Sequence, residues 1–276
     1  MGLKDDLLLE KLKEIKILYE EASKKGTEGT LSAIRASKLI MPIHEYIKEE
    51  LIAQGINPSK IFPRLNRTKP EIKLMGFLKE KNQDITILPY SPKPEELKNG
   101  PLIGKTDKIG KELTNKSLSI NVRSQLSSIA KNFDTLYERT FAEALNLHVR
   151  CPKLVMGEVY LVPLKAYDPD KRGNRKIKFR EKLPLVKYIK SFQALNERGV
   201  HEESNEYKYE RVCLLIIDFT PEIPEIINDV KDLIKEGLIT KNDAGNISLE
   251  GLTINDFISD ILKIYKERHG NLNSLR

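Results

Sequence analysis

Cysteine and histidine are both scarce in this chain, and each shortage removes a class of chemistry. The two cysteines, Cys151 and Cys213, have no CxxC spacing, so neither a structural zinc site nor a disulfide framework is expected. Each stands beside an apolar, strand-like run, the setting of a reduced core thiol in a cytoplasmic protein. The four histidines, His44, His148, His201 and His269, form no spaced pair from which a Ser-His-Asp set could be built. Long apolar runs are missing too. None approaches the ~20 residues that span a bilayer, and the N-terminus has no apolar signal core, so a soluble intracellular protein with no membrane partner is expected.

Charge, by contrast, is plentiful. Lys and Arg number 47 against 40 Asp and Glu, a net +7, which favours a polyanionic partner but also fits a Lys/Glu-rich solvated surface. The 276 residues suffice for one sizeable α/β core with additions. The expected division is an N-terminal helical region over 1–60, a core over 61–220 and a C-terminal helical region over 221–276.

Thr68 to Pro89 organises the chain. Ile72, Leu74 and Gly76 to Leu78 form one largely apolar run, and Ile85, Ile87 and Leu88 form a second of β-branched character, so two strands are expected with the polar LKEKN as their turn. Asp84 opens the second strand directly before apolar positions. Such a carboxylate must be paired, solvated at a sheet edge or bound to a metal, because burying it alone is prohibitive. Glu71, at the start of the first strand, is close enough in sequence to share that end, the beginning of an oxygen-ligand site for a hard divalent cation.

Around this stretch the periodicity predicts a helix over 3–25, ended by a loop from Gly26 to Gly29. A second helix is expected from about Thr30 to Gln54, stopped by Gly55, with a kink or two shorter helices at Pro42; its His44 and Glu45 could face the later site, against the plainer reading of a solvated face. A proline-rich linker follows, where Arg64, Arg67 and Lys69 could hold a phosphate backbone, and 90–101 reads as a surface loop before a loosely helical connection. Residues 117–128 alternate cleanly, with Leu118, Ile120, Val122 and Leu126 on one face and Ser119, Asn121, Arg123 and Gln125 on the other. A helix over 132–150 puts Phe133, Leu136, Tyr137, Phe141, Ala144, Leu145 and His148 on a buried arc, with Glu143 at its border and Arg139, Asn146 and Arg150 opposite. Two strongly apolar strands carry Glu158 and Asp218. The run 168–180 reads as a basic hairpin loop holding Arg172, Arg175 and Lys176, and 185–199 as a further helix.

The order helix, strand, strand with Asp84, strand with a polar face, helix, strand is that of the PD-(D/E)xK nuclease core. The residues 121–163 resemble type II restriction endonucleases, including those that cut around a CCGG core. Glu143-Ala144-Leu145-Asn146-Leu147 is similar to a stretch in the helix of that family, and Arg123-Ser124-Gln125 precedes it as an arginine-bearing recognition element does there. The resemblance implies a mixed-sheet α/β core with helical additions at both ends. It also implies Mg²⁺-dependent hydrolysis of phosphodiesters in double-stranded DNA, and a homodimer where the target is palindromic.

Asp84 and Glu143 are the metal carboxylates on this reading, with Glu71 in the same catalytic set. The Ser-x-Lys that the family leads one to expect is absent. Lys131 lies at a suitable distance after Asp84 but beyond the strand, whereas Arg123 is on the right face with a permanent charge; Ser119 and Asn121 stand where a strand carboxylate is missing. Arg123, Gln125 and Arg139 are the candidates for base edges, and Arg172, Arg175 and Lys176 for phosphates. The rival expectation is a non-catalytic DNA-binding protein in which helix, short strands and helix over 230–270 form a winged-helix-like module; the same stretch also reads as a helical cap.

Overall fold

Val155–Pro163 is a strand buried at all nine positions, which is how a strand covered on both faces reads. The computed structural model describes residues 3–35, 37–126, 129–165, 167–168, 178–179, 184–199 and 205–276. The chain starts with helices α1 (Leu3–Lys24), α2 (Gly26–Arg35) and α3 (Met41–Ala53), then β1 (Ile61–Phe62), β2 (Ile72–Met75), β3 (Glu80–Gln83), β4 (Ile85–Ile87), β5 (Glu95–Glu96) and β6 (Thr106–Asp107). It continues through α4 (Lys111–Asn115), β7 (Leu118–Ser124), α5 (Ile129–His148), β8 (Val155–Pro163), β9 (Tyr167–Asp168), β10 (Lys178–Phe179) and α6 (Leu185–Leu195). It closes with β11 (Arg211–Asp218), β12 (Glu225–Ile227), α7 (Val230–Lys235), α8 (Lys241–Ala244) and α9 (Phe257–His269).

The main sheet has six strands in the order β1-β4-β7-β8-β11-β12. β1, β4 and β7 pair antiparallel, β7, β8 and β11 pair parallel, and β12 returns antiparallel. Parallel neighbours need a crossover, and α5 supplies the one between β7 and β8. The fold is therefore mixed α/β with helical extensions.

Side-chain alternation splits the core into two layers. Ile85, Ile87, Ile120, Val122, Val159 and Leu215 face α1, α3 and α9 in one apolar cluster; Met156, Tyr160, Val162, Val212 and Leu214 face α5 and α6 in the other. Gly157 lets α9 approach closely, since a Cβ there would stand 2.7 Å from Ile261 and 2.8 Å from Phe257. Both cysteines are free and buried, and burial pushes their thiols up, Cys151 to about 12.

Several expected boundaries move. The strands over 72–88 are not one hairpin: β2 pairs with β3 in a separate two-stranded ribbon, so Glu80 to Asn82 are strand and the turn falls at 76–79. Polar residues suit such a ribbon because it has an open face, and only the segment after Asp84 enters the main sheet, paired with β1 and β7. Gly26 to Gly29 form the first turn of α2 rather than a loop. The chain breaks before α3, where Pro42 sits in the first turn and lacks only a donor that has no partner there anyway. Gly55 follows α3 with φ 88°, as its stop requires. The loop over 90–101 contributes β5, which pairs with β6. Between 230 and 270 the chain forms α7, α8 and α9 with no strand, so the winged-helix-like expectation does not hold; Leu249 and Leu252 sit in one core cluster and Ile258 and Ile261 in the other, as in a helical cap.

Candidate functional site

Register brings three polar residues into a row across the sheet. Ile85 pairs with Ile120, which sets Asp84 opposite Asn121, and Asn121 is in turn the partner of Glu158 on β8. Residues opposite one another point to the same face, here the one covered by α5. The Asp84 backbone donates to Asn121 Oδ1 at 3.2 Å, and the Val122 amide donates to Asp84 Oδ2 at 2.9 Å. Burial pushes the Asp84 carboxyl up to about 6, reinforced by the charges of Glu143 and Glu71 and opposed by the Val122 amide and Arg123. A carboxylate in that position gains from a cation.

Helix α5 reaches this face with Thr140, Glu143, Ala144 and Leu147, positions i, i+3, i+4 and i+7 of one stripe. Glu143 is only 3% exposed and each oxygen has two donors. Oε1 accepts from Gln83 Nε2 at 3.0 Å and Asn121 Nδ2 at 3.2 Å; Oε2 lies 2.5 Å from Arg123 Nη2 and 3.1 Å from Lys81 Nζ. Gln83 completes the floor by accepting from Ser119 Oγ at 2.7 Å. This saturation is what allows a carboxylate beneath a helix.

Arg123 links the site to β8. Besides Glu143 it donates to Thr140 Oγ1 at 2.9 Å, and its Nε lies 3.1 Å from Glu158 Oε1. That distance is an ion pair's, yet neither Glu158 oxygen has an aligned hydrogen-bond donor among the described residues. Burial pushes Glu158 up to about 8, with Arg123 opposing. Burial works against the charge on Arg123, but Glu158, Tyr209, Glu143 and Asp84 outweigh it and the guanidinium stays protonated.

The sequence candidates divide. Asp84, Glu143 and Arg123 come together. Glu71 is half-buried nearby, 2.8 Å from Lys69 and accepting from Asn82 at 2.9 Å, and its charge is felt at Asp84. Glu143 is not a border residue, and the expected arc of α5 is turned: Phe141 and Leu145 are each 37% exposed, while Asn146 is buried. Arg123 is held by Glu143, Glu158 and Thr140, with 19% of its side chain exposed. Gln125 is buried, its Oε1 accepting from the Tyr160 and Tyr188 hydroxyls, beyond the reach of a base. Arg139 is exposed on α5. Lys131 belongs to the first turn of that helix, its side chain outside the described residues. Arg172, Arg175 and Lys176 lie outside them too, although β9 and β10 pair antiparallel on either side.

His44 lies off the solvated face and feels the charge of Glu71 and the Val122 backbone of the site. It is buried on α3, and burial together with Lys48 brings its imidazole down to about 4, while Glu45, Glu71 and the Val122 backbone act the other way. It is therefore neutral near pH 7. Glu45 and Lys48 hold the linker: Lys48 donates to the Arg64 and Arg67 carbonyls at 3.2 and 3.0 Å, and Glu45 accepts from the Asn66 amide at 2.7 Å.

Lys81 is the site residue that sequence reasoning missed. The signal was its place two residues before Gln83 and three before Asp84, on the same face of a strand as Gln83. Comparison with family models, with curated proteins and with solved structures returns no match for this chain. No helix among the described residues is long and apolar enough to cross a membrane.

Proposed function

We propose that the chain is a Mg²⁺-dependent nuclease that hydrolyses phosphodiesters in double-stranded DNA at a specific site, in the manner of type II restriction endonucleases. The observation that carries the reading is the meeting of Asp84 and Glu143 around Asn121, on a mixed sheet connected as α3, β1, β4, β7, α5 and β8. That sequence of helix, three antiparallel strands, helix and parallel strand is the connectivity the resemblance leads one to expect, with β1 in place of β2 as the first strand.

The donor set suits a hard cation. The described residues hold no group of three or more His, Cys, Asp or Glu arranged around a metal, so Asp84 and Glu143 would be its two protein ligands, with water and phosphate oxygens completing the shell, as Mg²⁺ commonly has it. Bound there, Mg²⁺ would polarise the phosphoryl oxygen and acidify a water. Glu143 would hold the cation in exchange for part of its present bonding to Arg123 and Lys81. Lys81, with a third of its side chain exposed, is the residue free to move and to place positive charge beside the attacking water. Asn121 keeps the Asp84 backbone and Glu143 in register from below. Arg67, Lys69 and Lys73, exposed before and along β2, supply positive charge for a DNA backbone. A palindromic target would call for a two-fold dimer.

Incubation of the purified chain with plasmid DNA in Mg²⁺ or in EDTA, with sequencing of the fragment ends, tests this directly. Metal-dependent cutting at one sequence is the expected result. Intact plasmid at every Mg²⁺ concentration, or cutting that survives Asp84→Ala, would sink it.

A further inference from the structure

We propose that Glu158 is a positioning residue: from the neighbouring strand it holds the Arg123 guanidinium as a fixed cation directed at a DNA phosphate, independently of Glu143. This rests on the nuclease reading and assigns a role to two residues that the metal chemistry does not require.

The bonding is asymmetric. Glu143 has three donors besides Arg123, namely Gln83, Asn121 and Lys81, whereas the charged partner within reach of Glu158 is Arg123 alone among the described residues. Glu143 can thus part from Arg123 and remain paired; Glu158 cannot. Burial is asymmetric in the same sense. The Glu158 side chain is fully buried, while Arg123 keeps 19% of its own exposed. A carboxyl group held inside and a cation opening outward is an arrangement that aims the cation. For stability alone it would be a poor device, because a buried ion pair is usually replaced by apolar residues at no loss.

A guanidinium carries five N–H donors. Thr140, Glu143 and Glu158 each face one of them, at Nη1, Nη2 and Nε. One N–H on each Nη has no partner among the described residues, two donors of the kind that suit phosphate oxygens. Arg123 also feels the charge of Asp84, the candidate cation ligand. Arg123 is two residues after Asn121 on β7, and the Val122 amide between them holds Asp84.

The test is a double-mutant cycle of wild type, Arg123→Gln, Glu158→Gln and the double variant, with two readouts. The first is binding of a DNA duplex in EDTA by fluorescence anisotropy across a salt series; the second is kcat and KM for cleavage in Mg²⁺. Arg123→Gln should lower the salt slope by about 1, the signature of one lost phosphate contact, and Glu158→Gln should reproduce most of that change. Glu158→Gln should cut kcat at least tenfold in the wild-type background and have no further effect beside Arg123→Gln. Melting curves accompany each variant, and Glu158→Asp, which keeps the carboxyl group on a shorter stem, should recover part of the loss. Additive effects at the two positions, or an Arg123→Gln protein with the wild-type salt slope, would overturn the proposal, and the second result does not depend on any Glu158 variant folding. A wild-type protein that binds DNA but never cuts overturns the nuclease reading while the binding cycle still decides the Arg123–Glu158 coupling; one that binds no DNA overturns both.

Discussion

Lys81 Nζ lies 3.1 Å from Glu143 Oε2, and the strand that carries Lys81 leads within three residues to Asp84. A cation, an anion from a crossover helix and an acid at a strand's start thus converge through one short ribbon. Lys81→Met keeps the stem and removes the charge. Because the lysine is one-third exposed and Glu143 retains Arg123, the cost in stability should stay within ~1 kcal/mol. Cleavage should fall ~100-fold, the usual scale for a lost charge-stabilising group, and single-turnover kinetics would measure it. An unchanged rate would make Lys81 a surface partner of Glu143 and nothing more.

Asp84 gives a prediction that needs no DNA. Its carboxyl sits at about 6 in the folded chain against 3.8 for an ordinary aspartate, so between those values the folded state holds a proton that the unfolded state has lost. This group's contribution is fully present below about pH 4 and is lost as pH rises through 6. Asp84→Asn, whose side-chain carbonyl can still accept from Val122, removes that loss. The variant should therefore exceed wild type by ~3 kcal/mol at pH 7 and match it near pH 4. Urea unfolding at the two pH values is the measurement, and a variant less stable at pH 7 contradicts the assignment. In Mg²⁺ the same variant should bind DNA and fail to cut.

Glu143→Gln should behave in the opposite way. With four donors around a carboxylate that is 3% exposed, removing its charge leaves Arg123 and Lys81 short of a partner and sets an amide NH₂ against other donors. A loss of ~3 kcal/mol is expected, in the range for breaking a buried pair. Calorimetry beside wild type decides between this and the near-neutral outcome of a residue at the helix border.

The strands were the most legible part of the chain. Alternation located β7 with both faces correct, and continuous apolar runs located β8 and β11, because these patterns are set by the sheet itself. The phase of α5 was not legible. Counting apolar residues favours a face with Phe141 and Leu145, but the strand face beneath is Ser119, Asn121 and Arg123, and those groups require polar partners such as Glu143 and Thr140. Gln125 illustrates the same limit from the other side. Its place on the polar face of β7 was readable, whereas its cover by Tyr160 and Tyr188 depends on β8 and on a helix sixty residues further on. Asp84 could be singled out because one carboxylate before an apolar run is conspicuous; Lys81 lay hidden among turn-like residues.

Gln125→Ala follows from that burial. It removes the acceptor used by two tyrosine hydroxyls inside the core, so each hydroxyl must find another or remain unsatisfied. A loss of about 2 kcal/mol is expected, together with sequence preference for DNA unchanged from wild type. A stable variant with relaxed specificity would restore the base-reading role.

The position of Lys81 depends in turn on Asn146, and this gives the most demanding test. Asn146 grips the β2–β3 turn: its Oδ1 accepts from the Leu78 and Lys79 amides at 2.7 and 3.2 Å, its Nδ2 donates to the Lys79 carbonyl at 3.0 Å, and its backbone carbonyl accepts from Phe77 at 2.7 Å. Gly76 makes the approach possible, since a Cβ there would stand 2.6 Å from Asn146 Cγ and 2.7 Å from its carbonyl oxygen. Asn146→Ala deletes the three side-chain bonds but leaves the backbone one, whereas Gly76→Ala pushes the whole turn away. Both should speed hydrogen exchange at Leu78 and Lys79 while core amides of β8 keep their protection, because the ribbon can open without the sheet. With the ribbon loosened, Lys81 is held less firmly against Glu143, so any cleavage should fall in kcat more than in KM, and Gly76→Ala should be the more severe of the two. Exchange at Leu78 as slow in Asn146→Ala as in wild type would mean that β2 and β3 hold the turn by themselves, and would detach the placement of Lys81 from α5.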